Sequence, residues 1–265
     1  MDSFANEKDR ELLFPDRYTF NVLLKILPRE NRLLFTDHRD LILCYSEPPY
    51  PVWLWTRDNC PDQTIDNAWD LVAEYLPFSE GYRFIMKRDT AEYFINRGKE
   101  EGPALGISMQ MFAYDCPSPV KPSIDADGYF YRCTPDDVEE ASSLRAEFYR
   151  ETGEPAPPYE HVVDTVRGHI ERHSLFFWKN ADGKTVSCCN YKVTDDVGCI
   201  GCVLTKREYR RRHYAQNMVY QTSKLIKDSG FTPMLYTNAG YLASNACYEK
   251  VGFELKGSVC TVSAL

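Results

Sequence analysis

Between Gly198 and Gly252 the chain sets down, in order, an apolar run, a basic turn and an amphipathic helix, and few folds accept that order. The run Cys199 to Leu204 has the composition of a buried strand. Arg210-Arg211-Arg212-His213 then makes a tight basic turn. After it, Tyr214, Ala215, Met218, Val219, Thr222, Leu225 and Ile226 recur at the spacing of one helical face. Gly230 supplies the left-handed dihedrals of a C-terminal cap. A strand that passes through a basic loop into a helix start aims free backbone N–H groups and a positive field at one spot, which is how a fold holds a phosphate.

This stretch resembles the acetyl-CoA-binding core of the GNAT superfamily of acyltransferases. That family carries Arg/Gln-x-x-Gly-x-Gly/Ala between its fourth strand and third helix, where successive amides hold the donor's pyrophosphate. The matching residues here are Arg210, His213 and Ala215. A second family feature, an Asn and then a Tyr on a short helix followed by Gly-Phe, is matched by Asn245, Tyr248, Gly252 and Phe253. The resemblance runs from about Gly128 to the end and is strongest from Val197 to Phe253. It implies acetyl-CoA as acyl donor, with its pyrophosphate held across Arg210, Arg211, Arg212, His213, Tyr214 and Ala215. It further implies a thioester carbonyl held by the backbone amide of Val203 or Leu204, and a pantetheine arm bonded by Asn245. Tyr248 falls on the family's candidate acid for the departing thiolate. One departure stands out: the family's central glycine is His213 here. A residue at a helix start has allowed dihedrals, so the amide is expected to point correctly and the imidazole to pack beside or bond a phosphate.

Net charge is −8, with a sequence pI near 5.3, which argues against wholesale attraction to nucleic acid or to anionic membrane. Against that background the cluster Arg207, Arg210, Arg211 and Arg212 favours a small anionic ligand. No apolar run is long enough to span a bilayer, and the opening MDSFANEKDR is polar and acidic rather than a secretory leader. The ten cysteines are scattered, so a reduced cytoplasmic protein is expected. Cys199 and Cys202 have half of a zinc-site spacing, but within a strand they point to opposite faces and read as small buried hydrophobes; no metal is expected.

The 265 residues suit two domains. The first, residues 1–115, has an expected helix from Asp16 to Leu27 and strands at Leu33–Phe35, Leu41–Tyr45 and Val52–Thr56. A helix over Ile65–Leu76, a strand at Arg83–Met86, a helix closing at Gly98 and a strand at Ala104–Tyr114 follow. Trp53 and Trp55 share one strand face as packing residues. This order repeats in the second half, which marks residues 1–115 as a diverged acyltransferase-like repeat. Its helix begins after Asn59-Cys60-Pro61-Asp62, a poor phosphate cradle, because proline has no amide to donate and carboxylates repel the ligand. A proline-containing linker spans 116–127, and residues 128–265 form the acetyl-CoA-binding domain: strand, two helices, three antiparallel strands, helix, strand, helix, strand. The fold class is therefore α/β with a mixed, mostly antiparallel central sheet flanked by helices.

Transfer to an amine needs an uncharged nucleophile, a donor for the oxyanion and a proton for the thiolate. Tyr248 is either that acid, with an unperturbed pKa near 10, or an aromatic packed under the sheet. Asn245 either bonds the pantetheine or caps its own helix. Nothing basic sits at a diagnostic spacing from Cys247, so it is not read as a nucleophile. No base is assignable among Glu208, Asp195, Asp196, Glu160 and His161, and His161, His169 and His173 read as surface histidines without a third metal ligand. The acceptor fits a small-molecule amine, with a protein N-terminus or lysine also open; the protein would act as a monomer or homodimer. The alternative class is a catalytically silent domain that binds acetyl-CoA or a protein partner, with His213 as the sign of decay.

Overall fold

The computed structural model describes residues 1–265. The chain divides into two compact units: the first comprises Met1–Ala113, Asn238–Gly240 and Lys256–Leu265, and the second Tyr114–Thr237 and Tyr241–Leu255. The last strand thus returns to the first unit.

The first unit opens with two short helices, α1 (Glu7–Leu13) and α2 (Asn21–Ile26), separated by a 3-10 turn at Phe14–Asp16. The single helix expected from Asp16 to Leu27 is therefore wrong. Asn6 and Asp9 form a reciprocal capping box that starts a separate helix before Pro15. Strands β1 (Leu33–Thr36), β2 (Leu41–Tyr45) and β3 (Val52–Thr56) pair antiparallel, with Leu33 opposite Tyr45 and Leu41 opposite Thr56. Helix α3 (Asp62–Tyr75) leads to β4 (Phe84–Met86), which pairs parallel to β3, and α4 (Arg88–Glu101) leads to β5 (Leu105–Asp115). Helix α4 does not close at Gly98. A Cβ there would lie 2.6 Å from the Pro103 carbonyl oxygen, so the glycine serves close approach inside the helix rather than a cap. Strand alternation divides the core in two. Leu41, Leu43 and Leu54 pack with α3 and α4, whereas Ile42, Trp53 and Trp55 pack with Leu13, Phe20 and Leu23 on the other face.

The second unit contains β6 (Tyr129–Arg132), α5 (Val138–Thr152), α6 (Tyr159–Glu171), β7 (Leu175–Lys179), β8 (Thr185–Thr194), β9 (Val197–Thr205), α7 (Tyr214–Asp228), β10 (Thr232–Asn238) and α8 (Leu242–Lys250). Strands β6 to β9 pair antiparallel in sequence, and β10 lies parallel to β9. Helices α5 and α6 cover one sheet face, where Leu144, Val166, Phe177, Cys202 and Leu204 form a core. Helix α7 takes the other, with Thr222 Oγ1 3.1 Å from Cys189 Sγ. The stretch 116–127 has no helix or strand, yet it is packed: Val120 N donates to Val251 O at 2.8 Å, and Asn217 Nδ2 to Ile124 O at 3.0 Å. The final strand β11 (Glu254–Ala264) pairs antiparallel to β4 through Cys260, Thr261 and Val262.

In each unit three consecutive antiparallel strands, β1–β3 and β7–β9, are followed by a helix, a strand parallel to the last of the three and another helix. In the first unit the ladder of β3 with β4 ends at Trp53 and Ile85. Beyond it, Lys87 Nζ lies 2.7 Å from Asp16 and 2.6 Å from Asp58, over the Trp55 ring, and Thr56 Oγ1 bonds Thr90 Oγ1 at 2.9 Å. Burial works against the Lys87 charge, but the two carboxylates hold its ammonium above the usual pKa.

Candidate functional site

Strand β9 is irregular where the resemblance places the thioester. Its parallel ladder with β10 runs only from Val197 opposite Thr232 to Ile200 opposite Leu235, so Gly201–Thr205 extend beyond it. On the other side Cys188 faces Leu204 and Asn190 faces Gly201, so three steps on β9 match two on β8. The extra residue is a β-bulge at Cys202–Val203, and Cys202 takes the left-handed conformation, φ 52°. Side chains from β8 hold the bulge carbonyls: Ser187 Oγ donates to Leu204 O at 2.7 Å and Cys188 Sγ to Cys202 O at 3.7 Å. Val203 is half-buried and Leu204 buried, so their amides belong to a strand end that has left one ladder and is kinked against the other.

A 3-10 turn at Arg207–Tyr209 connects β9 to the basic turn. Arg211 has φ 60° and His213, the N-cap of α7, has φ 65°. The expectation of ordinary dihedrals at His213 is corrected here. The position demands the left-handed region, which explains why glycine suits it and makes a histidine there a strained choice. Such turns aim successive amides into one concavity. The amides of Tyr214, Ala215 and Gln216 begin the helix and have no intrahelical carbonyl to bond; the ladder starts with Asn217 N donating to His213 O at 3.1 Å.

The four arginines separate into two pairs. Arg207 Nε is 2.7 Å from Glu151 on α5, and the Arg210 guanidinium bonds the same carboxylate while its Nε donates to Thr205 O at 2.9 Å. Arg211 is exposed, and the exposed Arg212 guanidinium lies 5.7 Å from the Tyr209 ring centre. The Tyr214 side chain is buried and donates to Asp127, a residue of the expected linker, whose other oxygen accepts from Ala181 N at 3.1 Å. Burial first, and then the Asp127 carboxylate, push the Tyr214 hydroxyl up to about 12. Ala215 is half-buried in the first turn of α7.

Tyr248 is buried on α8, 8% exposed. Burial pushes its pKa well above the usual tyrosine value, and the thiols of Cys247 and Cys189 add to the shift. With its pKa raised in this way, Tyr248 stays protonated near neutral pH. Asn245 is buried one turn earlier, its amide bonded to Tyr241 O at 3.0 Å. Burial raises the Cys247 thiol to about 11, which leaves little thiolate for nucleophilic work. Glu208, Asp195, Asp196, Glu160 and His161 are all exposed.

His169 is not a surface residue: it is 5% exposed, with Nδ1 2.9 Å from Ser174 Oγ. His173 lies beyond the end of α6 with φ 54°, so helical spacing does not bring the two rings together. Glu151, Asp127 and the bulge at Cys202 were not anticipated from sequence. Glu151 left one faint signal, an acid in the last turn of a helix, where the macrodipole disfavours it.

A family model described as FR47-like protein matches residues 181–262. No curated protein sequence matches the chain. Among solved structures, an acetyltransferase of the GNAT family from Colwellia psychrerythraea is similar over 100% of this chain and 99% of its own, with TM-score 0.63 and 10% identity. A Drosophila protein is similar over 100% and 98%, with TM-score 0.71 and 10% identity. A GCN5-related N-acetyltransferase from Sphaerobacter thermophilus covers 91% of this chain and 84% of its own, with TM-score 0.66 and 12% identity. The fold is that of the GNAT superfamily.

Proposed function

We propose that this chain, which has the GNAT fold, is an N-acetyltransferase that moves an acetyl group from acetyl-CoA to the primary amine of a small molecule. The observation that carries this reading is the meeting, in one unit, of a bulged strand end that has left its parallel ladder with a helix start whose first amides lack internal acceptors. Acetyl-CoA, when bound, supplies the activated acyl group. Backbone amides from His213 to Ala215 would hold its pyrophosphate, and Arg211 and Arg212, unlike the Glu151-paired Arg207 and Arg210, would add positive charge, with Arg212 also acting on the Asp127 carboxylate. The amide of Val203 or Leu204 would donate to the carbonyl oxygen, where negative charge develops during attack. Asn245 is the candidate for the pantetheine arm. Tyr248 holds a proton at its phenolic oxygen, available to the leaving sulfur. A protein N-terminus or lysine is the alternative acceptor.

The first unit serves as scaffold in this reading. It is a diverged repeat whose corresponding strand end is filled by the Lys87, Asp16 and Asp58 cluster and whose helix start carries Pro61 at its N-cap. No helix of the structure is long and apolar enough to cross a membrane. A second reading, a silent acetyl-CoA binder, is favoured by one observation: a side chain at φ 65° where the family has glycine.

Calorimetric titration with acetyl-CoA and coenzyme A tests the donor site. Binding should weaken in Arg211→Ala and in high salt, since exposed charges are screened within about 10 Å at 0.1 M. Steady thiol release with a panel of amines separates enzyme from binder. Tyr248→Phe should lower turnover about 10²-fold, within the usual range for a general acid, and leave donor affinity nearly unchanged. Undiminished turnover removes Tyr248 from the chemistry.

A further inference from the structure

The basic turn reaches its shape through a residue outside it. Glu151 sits in the last turn of α5, where a carboxylate opposes the helix dipole, yet its side chain is only 16% exposed. Two guanidiniums compensate it. Arg207, which opens the 3-10 turn, is 2.7 Å from one oxygen, and Arg210, which closes that turn, bonds the other. Arg210 also donates to the carbonyl of Thr205, the last residue of β9. One carboxylate therefore ties helix α5 to both ends of the turn, and through Arg210 to the strand end. The next residues include Arg211 and His213, both at positive φ, and non-glycine residues persist there only when their surroundings over-determine them.

We propose that Glu151 is the positioning residue of the donor site, holding Arg207 and Arg210 so that the turn presents its amides, Arg211 and Arg212 to the pyrophosphate. This rests on the acetyl-CoA reading above. Arg210 then contributes through where it fixes the backbone, its guanidinium being taken up by Glu151 and the Thr205 carbonyl.

The proposal predicts a sign that electrostatics alone would reverse. Glu151→Gln removes a negative charge beside an anion site, so a purely Coulombic role would tighten binding. A positioning role weakens it, because neutral glutamine does not hold two guanidiniums. Titration of the folded full chain with acetyl-CoA should give about tenfold weaker binding for Glu151→Gln, in the range typical of coupled sites, and an intermediate loss for Glu151→Asp, which keeps the charge but shortens the reach. Circular dichroism melting of each variant checks that the fold is retained.

A pH series supplies a second readout. The groups facing Glu151 are Arg207 and Arg210. Glu147, one turn earlier on α5, adds negative potential at Arg207, and Glu140 pairs with Lys206 at 3.3 Å. Burial opposes ionisation of Glu151, but hydrogen bonds from the two arginines prevail and hold its carboxyl below the usual range. A lowered carboxylate pKa means that the clamp is intact above the ordinary carboxylate range and is lost only as pH falls through the depressed value. Wild-type affinity should therefore lack a Glu151-dependent step between about pH 5 and 8 and fall below that range, a fall absent from Glu151→Gln.

Inorganic pyrophosphate is the companion probe. Equal or tighter acetyl-CoA binding by Glu151→Gln overturns the proposal. Wild-type binding of pyrophosphate that depends on Glu151, without binding of acetyl-CoA, keeps the clamp and removes the donor assignment. Binding of neither removes both.

Discussion

His213 shows what one residue determines at this site. Its amide leads into the first turn of α7, but the φ of 65° places its Cβ where non-glycine residues are disfavoured by about 1–2 kcal/mol. Replacing it with glycine relieves that strain but gives the unfolded chain more freedom, worth about 0.4–1 kcal/mol in the opposite direction. His213→Gly should therefore change stability by less than about 1 kcal/mol in urea melts. His213→Val, β-branched at a positive φ, should lose about 1–3 kcal/mol. A donor affinity for His213→Gly within a few-fold of wild type agrees with a tolerated histidine, whereas a large gain identifies the imidazole as an obstruction. Arg210, Ala215, Asn245 and Tyr248 could be singled out in sequence because each belongs to a local pattern. The left-handed dihedral of His213 was not, since histidine carries no sign of the conformation it is forced into.

At the scale of elements, the site depends on how closely α7 approaches β9. Gly198, paired with Pro233, has no side chain between strand and helix, and a Cβ built there would lie 2.4 Å from Ile226 Cγ2. Gly198→Ala should therefore lower stability by about 1–3 kcal/mol, as overpacking does, and weaken donor binding by displacing the start of α7. A chemical denaturation curve and a titration on the same sample check both effects; an unchanged midpoint means that the helix shifts freely. Most elements of the second unit follow from periodicity and turn residues, and α6 spans Tyr159 to Glu171 as its pattern predicts. The failures have physical causes. Helix α1 was hidden because its signal is a cap rather than an apolar stripe, and Gly98 read as a stop because close packing against Pro103 cannot be seen in sequence. The bulge at Cys202 gave no warning, since the residue at φ 52° is a cysteine and the neighbouring glycine is not the one that needs the freedom.

For the whole molecule, the return of the C-terminus matters most. Val259, Cys260 and Val262 are fully buried, and Cys260 to Val262 form the antiparallel partner of β4 in the first unit. A chain ending at Leu255 would leave Phe84, Ile85 and Met86 with an open strand edge and the adjoining core without three apolar side chains. Such a truncation should bind an apolar dye, aggregate on concentration and lose hydrogen-exchange protection over residues 41–86. A truncated protein that keeps full-length protection there would disprove the assignment of Lys256–Leu265 to the first unit.

By itself the sequence determined the strands, most helices and the strand–turn–helix order from Cys199 to Ile226, because hydrophobic period, turn chemistry and caps act over a few neighbouring residues. The similar order of elements in the two halves was also readable from it. Only the tertiary structure decided which arginines are free to face an anion, since Glu151 lies 56 residues before Arg207 and 59 before Arg210 and reaches them through folding. It likewise decided that Asp127 anchors Tyr214, that β9 leaves its parallel partner after Ile200, and that β11 completes the first unit. Each of these is a contact between distant parts of the chain, whose energy depends on burial and geometry that no local window of residues contains.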